Sequence, residues 1–273
     1  MNRKKGMEIL RSNAIFYITG ILAILGIKLY YSRAGCDALL WILAPTARWV
    51  EFLSGIPFTY VPGTGYVNHS LRMVIAASCS GVRFMTITFG MLVFSFLHLA
   101  RPEPKPDAWE PKELSCGGTG FGLGKGIGWI AASAVLSWLC TVFVNGLRII
   151  TAVYLPLYLQ GTGLMGGILT QGRLHTIIGV TVYFTALLTI YRLVGWFFHS
   201  TEREPHTKLV LLRKCAPPAC WYLLFTLGLP LLNRAGHAGT GEFTEFAILV
   251  TVCCGFILLP YAAAACYRSL RDR

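Results

Sequence analysis

Six stretches of this chain are apolar for close to 20 residues or more, and they limit its fold more than any other feature. They lie at about 13–31, 73–99, 126–155, 175–198, 216–233 and 243–266. Crossing the hydrocarbon core of a bilayer takes about 20 helical residues, since each advances the chain by only ~1.5 Å. A backbone in lipid must also satisfy its own N–H and C=O groups, and continuous apolar runs of this length do so as helices. The fold class expected is all-α, a polytopic integral membrane bundle of about six transmembrane helices.

A seventh run, 37–60, is interrupted by Pro45, Arg48, Glu51 and Pro57, so it reads as an interfacial or re-entrant helical segment and not a crossing. Sidedness follows from the basic residues. With the N-terminus inside, 15 of the 24 Lys and Arg fall on cytoplasmic segments, among them Arg3, Lys4, Lys5, Arg101, Lys105, Lys125, Arg213 and Lys214. The positive-inside rule then puts both termini in the cytoplasm of a bacterial cytoplasmic (inner) membrane protein, with the opposite ends of the helices facing the periplasm or exterior. The first run is long for a signal peptide and has no small-x-small cleavage site, so it is expected to stay as an anchor.

Charge and cysteine content exclude other classes. The net charge of +12 would suit a nucleic-acid binder, but the basic residues sit at the ends of apolar runs, as topology signals do. With 55% hydrophobic and 13% charged residues and a mean hydropathy of +0.59, no nucleic-acid partner is expected, whereas membrane lipids are. The nine cysteines include no CxxC pair and no zinc spacing, so neither a disulfide framework nor a metal or cofactor is expected. His69, His98, His199, His206 and His237 fall in loops or at helix ends with no ligand spacing. "GGTGFGLGKGIG" (117–128) lacks the phosphate-loop spacing and reads as a lead into the next span, after the Pro-rich loop 101–111.

Against this apolar background a few polar residues converge. Counting about 20 residues along each helix from its cytoplasmic end reaches Ser80, beside Cys79, in the second span. In the third it reaches Asn145, three residues before Arg148, and in the fourth Gly179, one turn from His175. Cys79, Arg148 and His175 are thus expected at one outer level. Cys79 and Arg83 at i,i+4 are expected to share one helical face, as Asn145 and Arg148 do at i,i+3. A guanidinium in lipid costs about 3 kcal/mol on insertion scales, so these faces should turn into the bundle. The plainer reading is that Arg83 and Arg148 bond backbone carbonyls at helix ends or snorkel to the headgroups.

The chemistry such a set supports is acyl transfer. A thiol becomes a nucleophile when a base or cationic neighbours favour its thiolate. His175 could accept the Cys79 proton and later return it to a leaving amine. Arg148 presents fixed donors to the oxyanion formed when a thiolate attacks a peptide carbonyl, and Asn145 could orient either partner.

"ASCSGVRF" (77–84), "NGLRI" (145–149) and "LHTIIGVTVYF" (174–184), in this order and each on its own span, resemble the exosortase/archaeosortase family of membrane-embedded cysteine transpeptidases. "LLWILAPTARWVEFLSGIPF" (39–58) is similar to the segment preceding the Cys motif there, in the exosortase K subgroup. The resemblance implies a transmembrane catalytic core over 1–200, with Cys79 as nucleophile, Arg148 as essential arginine and His175 as acid–base residue. Arg83, Asn145, Ser80 and Gly81 would be supporting or substrate-binding companions. It further implies that exported proteins with a C-terminal motif of the Pro-Glu-Pro (PEP-CTERM) kind, a transmembrane helix and a basic tail are the substrates. Residues 201–273, with two more spans, form an extension that the motifs do not reach. Two other readings stay open: a transporter whose Arg residues bind an anion, and a membrane acyltransferase using Asn145 and His175 with Cys79 incidental.

Overall fold

A computed structural model describes residues 14–97, 123–159, 170–199, 208–234 and 241–271. The Pro-rich loop, most of the Gly-rich lead and several of the basic clusters lie outside them. Eight α-helices appear among the described residues: α1 (Ala14–Arg33), α2 (Leu40–Ser54), α3 (Val82–Phe96), α4 (Leu123–Leu159), α5 (Gln171–His199), α6 (Lys208–Leu223), α7 (Leu229–Arg234) and α8 (Gly241–Arg271). Six stretches are long and apolar enough to cross a membrane, and they match the six runs read from the sequence. The chain is a multi-pass membrane protein built as an all-α bundle.

Its surface carries the mark of lipid. Ile15, Ile18, Leu22, Leu25 and Leu29 are exposed along α1, as are Trp196 and Phe197 on α5 and Ile248, Phe256 and Leu259 on α8. In water such stripes would demand a partner; in a bilayer they are solvated. Several hydroxyls within the helices are satisfied at home: Thr19, Thr86, Thr141 and Thr189 each donate to the carbonyl four residues back.

The segment 37–60 holds no helix long enough to count among those six stretches. Asp37–Leu39 is a short 3₁₀ turn that leads into α2, a 15-residue helix with Pro45 in its second turn. At its end Gly55, at φ 68°, gives its N–H to the Glu51 carbonyl, and the Glu51 carboxylate accepts from the Phe58 N–H at 2.7 Å. A feature that the apolar pattern does not reveal follows. Three short strands, β1 (Thr59–Val61), β2 (Gly65–Asn68) and β3 (Met73–Ile75), form an antiparallel sheet in the order β1-β2-β3. Asp37 anchors its first turn, accepting from the Tyr60 hydroxyl and from the Gly63 N–H.

This sheet corrects one expectation. The run 73–99 is not helical throughout: β3 ends at Ile75, residues Ala77–Cys79 make a 3₁₀ turn, and helix α3 begins only at Val82. Between them Gly81 sits at φ 74°, a left-handed conformation that L side chains adopt at a cost. Cys79 and Arg83 therefore lie on either side of a break at Gly81, and no continuous helix carries both.

Two apolar clusters flank this break. One joins α2, the sheet and the start of α3 through Leu39, Ile42, Leu43, Ile75, Val82 and Met85. The other joins α3, α5, α6 and α8 through Phe84, Leu92, Phe184, Tyr222 and Val250. Residues 201–273 thus contribute to the same core as the helices before them.

Candidate functional site

Where the two clusters meet, polar residues from separate helices come together. Asn145, fully buried on α4, donates from Nδ2 to the carbonyl of Cys79 at 2.6 Å. Its Oδ1 accepts from the Tyr183 hydroxyl of α5 at 2.7 Å and from Arg148 at 3.4 Å. Arg148, one turn along α4, also donates to the Tyr183 hydroxyl at 3.3 Å and to Nε2 of His175 at 2.5 Å. The guanidinium lies over the Tyr183 ring, 5.4 Å from its centre. One network therefore ties the Cys79 backbone, α4 and α5.

Burial makes the network strict. Arg148 is only 9% exposed, and its Nε has no hydrogen-bond partner. The one ion pair among the described residues is Arg173–Glu245, so no carboxylate there neutralises Arg148. What supports the charge is the Asn145 carbonyl oxygen, the Tyr183 hydroxyl and ring, and the imidazole. Because a guanidinium has no acceptor, Nε2 of His175 must be the accepting nitrogen in that contact.

One glycine makes the approach of Asn145 possible. A Cβ on Gly81 would lie 2.9 Å from Thr141 and 3.0 Å from the Asn145 amide carbon, so glycine is required there by space as well as by φ. On α5, Gly179 faces the Nε of Arg148 at 3.5 Å from where its Cβ would be. That is an ordinary van der Waals distance, so a small side chain would also fit there.

The Cys79 segment is held from three directions. Tyr31 of α1 donates to the Ala77 carbonyl at 3.3 Å. The buried Cys36 thiol accepts from the Ala77 N–H at 3.3 Å while donating to the Thr64 carbonyl at 3.2 Å. Asn145 supplies the third tie. The half-buried Cys79 thiol itself has one hydrogen-bond partner among the described residues, the Ser78 hydroxyl at 4.0 Å, and none to His175.

Beside this network lies a cavity of about 320 Å³, with Ser78, Gly81, Arg83, Arg148, His175 and Tyr183 in its wall. Each residue expected from the sequence can now be placed. Arg148, Asn145 and His175 meet directly, and Cys79 joins them through its backbone. Arg83 is exposed and faces the cavity from the first turn of α3, while Ser80 is fully buried with an unpartnered hydroxyl. Gly81 serves as the hinge between the 3₁₀ turn and α3.

Tyr183 was not among the expected site residues. The signal for it was present: His175, Gly179 and Tyr183 are spaced four apart, which aligns them along one stripe of α5. Tyr31 had no such signal, since only the fold brings α1 to the Cys79 turn.

Compared with known proteins, the chain matches no family model, no curated protein and no solved structure.

Proposed function

We propose that this protein is a membrane-embedded cysteine peptidase or transpeptidase that processes exported proteins at a C-terminal tail, on the outer face of the cytoplasmic membrane. The observation that carries the reading is the buried Arg148 guanidinium. It has no carboxylate partner among the described residues, bonds His175, and is linked through Asn145 to the backbone of Cys79. The motif resemblance and the outward bias of the charge-poor helix ends support the same assignment.

The reaction follows from these groups. In the resting state Arg148 occupies the lone pair of Nε2, so the base is masked. A substrate carbonyl oxygen entering the cavity competes for the guanidinium, which frees the imidazole at the rim. His175 then takes the Cys79 proton, and the thiolate adds to the carbonyl carbon. The C=O electron pair moves onto oxygen, where Arg148 stabilises it. Collapse of that adduct breaks the C–N bond, and the leaving amine takes the proton from His175, which leaves a Cys79 thioester. An amine, hydroxyl or water then attacks the thioester, passes its proton to His175 and restores the thiol. Ser80 and Gly81 act by shaping the turn that presents the sulfur, and Arg83 binds an acidic side chain of the tail motif.

The test is co-expression with a protein bearing an acidic motif, an apolar helix and a basic C-terminus. Wild type is expected to shorten it or shift its size. Cys79→Ala and Arg148→Lys are expected to abolish the shift while the protein still inserts and folds. Processing that persists in Cys79→Ala would refute a thiol enzyme.

A further inference from the structure

The cavity does not end at the polar network. Its wall also includes Ile87 on α3, Val180 on α5, and Tyr222, Thr226 and Phe246, and the last three come from residues 201–273. That region has no motif and no role from sequence. Its helices nevertheless close the far side of the cavity that holds Arg148 and His175.

The local backbone at this wall is unusual. Between α6 and α7 the helix passes through a π-helical segment, Leu224–Gly228, with Thr226 buried at its centre. Pro230 accounts for the irregularity, since it has no N–H to give to the Thr226 carbonyl four residues before it. Such segments are common where a helix serves a site, because the extra residue re-aims side chains. Here it turns Thr226 toward the cavity one turn after Tyr222. Above it, α8 is tied to α5 by the Arg173–Glu245 pair, next to Phe246.

The cavity therefore has two chemistries. One part of its wall is cationic, with Arg83, Arg148 and His175. The rest is apolar, with Ile87, Val180 and Phe246 beside the Tyr222 and Thr226 hydroxyls. The wall runs from Arg83 to Ile87 along α3 and from His175 to Val180 along α5, into the bundle. That is also the direction in which a tail entering the membrane must run from its scissile bond.

We infer that residues 201–273 are a specificity element of the proposed peptidase. Tyr222, Thr226 and Phe246 form a pocket for a large apolar side chain of the substrate, next to the scissile bond on the side that leads into its transmembrane helix. This rests on the peptidase reading and adds the side-chain class selected there. The three residues touch the substrate flank and not the reacting atoms, so they set which tail is cut.

The experiment uses the full chain and a single-span reporter with an acidic motif, an apolar helix and a basic tail. Ala, Leu, Phe or Trp is placed in turn at the residue following the scissile bond. Wild type is expected to prefer Leu or Phe over Ala. Phe246→Ala enlarges the pocket and should move the preference toward Trp, whereas Thr226→Leu narrows it and should move it toward Ala. One methylene-sized change in an apolar pocket discriminates by about 10- to 200-fold, so each preference ratio should move by about tenfold or more. Thermal unfolding of each variant separates misfolding from altered choice, and the opposite directions of the two shifts leave either variant able to decide alone. Variants that slow all four reporters equally while folded would overturn the inference and leave the peptidase intact, making this part of the cavity a lipid-filled crevice. Wild type that cuts none of the reporters would overturn the peptidase reading and the pocket with it.

Discussion

Gly81→Ala is the sharpest test of how the Cys79 turn is built. Two costs add at this position. A Cβ in the left-handed region raises the backbone energy by about 1–2 kcal/mol, and Gly81 has φ 74°. The same Cβ would stand 2.9 Å from the Thr141 methyl and 3.0 and 3.1 Å from the Asn145 amide, so Asn145 must retreat. Retreat strains or breaks its 2.6 Å bond to the Cys79 carbonyl, worth about 1 kcal/mol or more where the partner is buried. The expected loss is about 2–4 kcal/mol, which thermal unfolding in detergent followed by tryptophan fluorescence would detect. Because part of the cost comes from Asn145, the double variant Gly81→Ala/Asn145→Ala should lose clearly less than the two single losses together. A shift within about 0.5 kcal/mol of wild type, the scatter of ordinary surface substitutions, would refute the strained turn. Strict additivity would refute the contact with Asn145.

Other consequences are checked as simply. Tyr183→Phe keeps the stack on Phe84, whose ring centre lies 4.7 Å away, but removes the donor to Asn145 Oδ1; a loss of about 1–3 kcal/mol and a fall in processing are expected, measured by unfolding and by the reporter assay. Asp37 is held below the usual carboxylate range by the Tyr60 hydroxyl and then by the Gly63 N–H, while the same partnership pushes Tyr60 up to about 12. The depressed acid stabilises the sheet turn above the ordinary aspartate pKa of about 3.9 and loses that contribution as pH falls through the folded value, whereas the raised tyrosine stabilises it below about 10 and loses that as pH climbs toward 12. Proteolytic nicking within 59–68 should therefore rise at both extremes in wild type, and Asp37→Asn should already show part of that sensitivity at neutral pH. Glu245→Gln breaks an ion pair whose side chains are 41% and 54% exposed, so less than about 1 kcal/mol is expected by thermal unfolding.

The spans were legible because a bilayer imposes length and composition on a helix, and each of the six runs meets both. Polar residues at matched depth were legible for the same reason: Asn145, Arg148 and His175 lie on continuous helices, where counting residues is counting distance. The count failed as geometry at Cys79. Residues 73–81 are apolar enough to extend a helix, but β3 pairs with a strand formed 8 residues earlier in the chain, and Gly81 adopts a conformation that no periodicity encodes. The sheet escaped notice because three strands of three or four residues carry too few alternations to read. The part of the cavity wall contributed by residues 201–273 was invisible for another reason. Tyr222, Thr226 and Phe246 look like packing residues until the fold brings α6 and α8 against α3 and α5.

The cost of the polar network itself bears on what the bundle is for. Replacing a buried charged or polar set by well-packed apolar side chains is often neutral or stabilising by about 1–4 kcal/mol, because desolvation outweighs the interactions regained. Arg148 carries that penalty with its Nε unpartnered, beside a fully buried Asn145 and an unpartnered Ser80 hydroxyl. A bundle under demand for stability alone would fill this seam with leucine, as it does a few residues away at Leu92 and Leu187. The network instead spends its hydrogen bonds on a three-residue turn, held at Ala77 by Tyr31 and Cys36 and at Cys79 by Asn145, that leaves the sulfur with one distant partner. Fixing a backbone from several elements while keeping its side chain free is what preorganising a nucleophile requires. If that is its purpose, Asn145→Ala should reduce processing far more than its modest effect on unfolding explains, whereas a structural network would lose both in proportion.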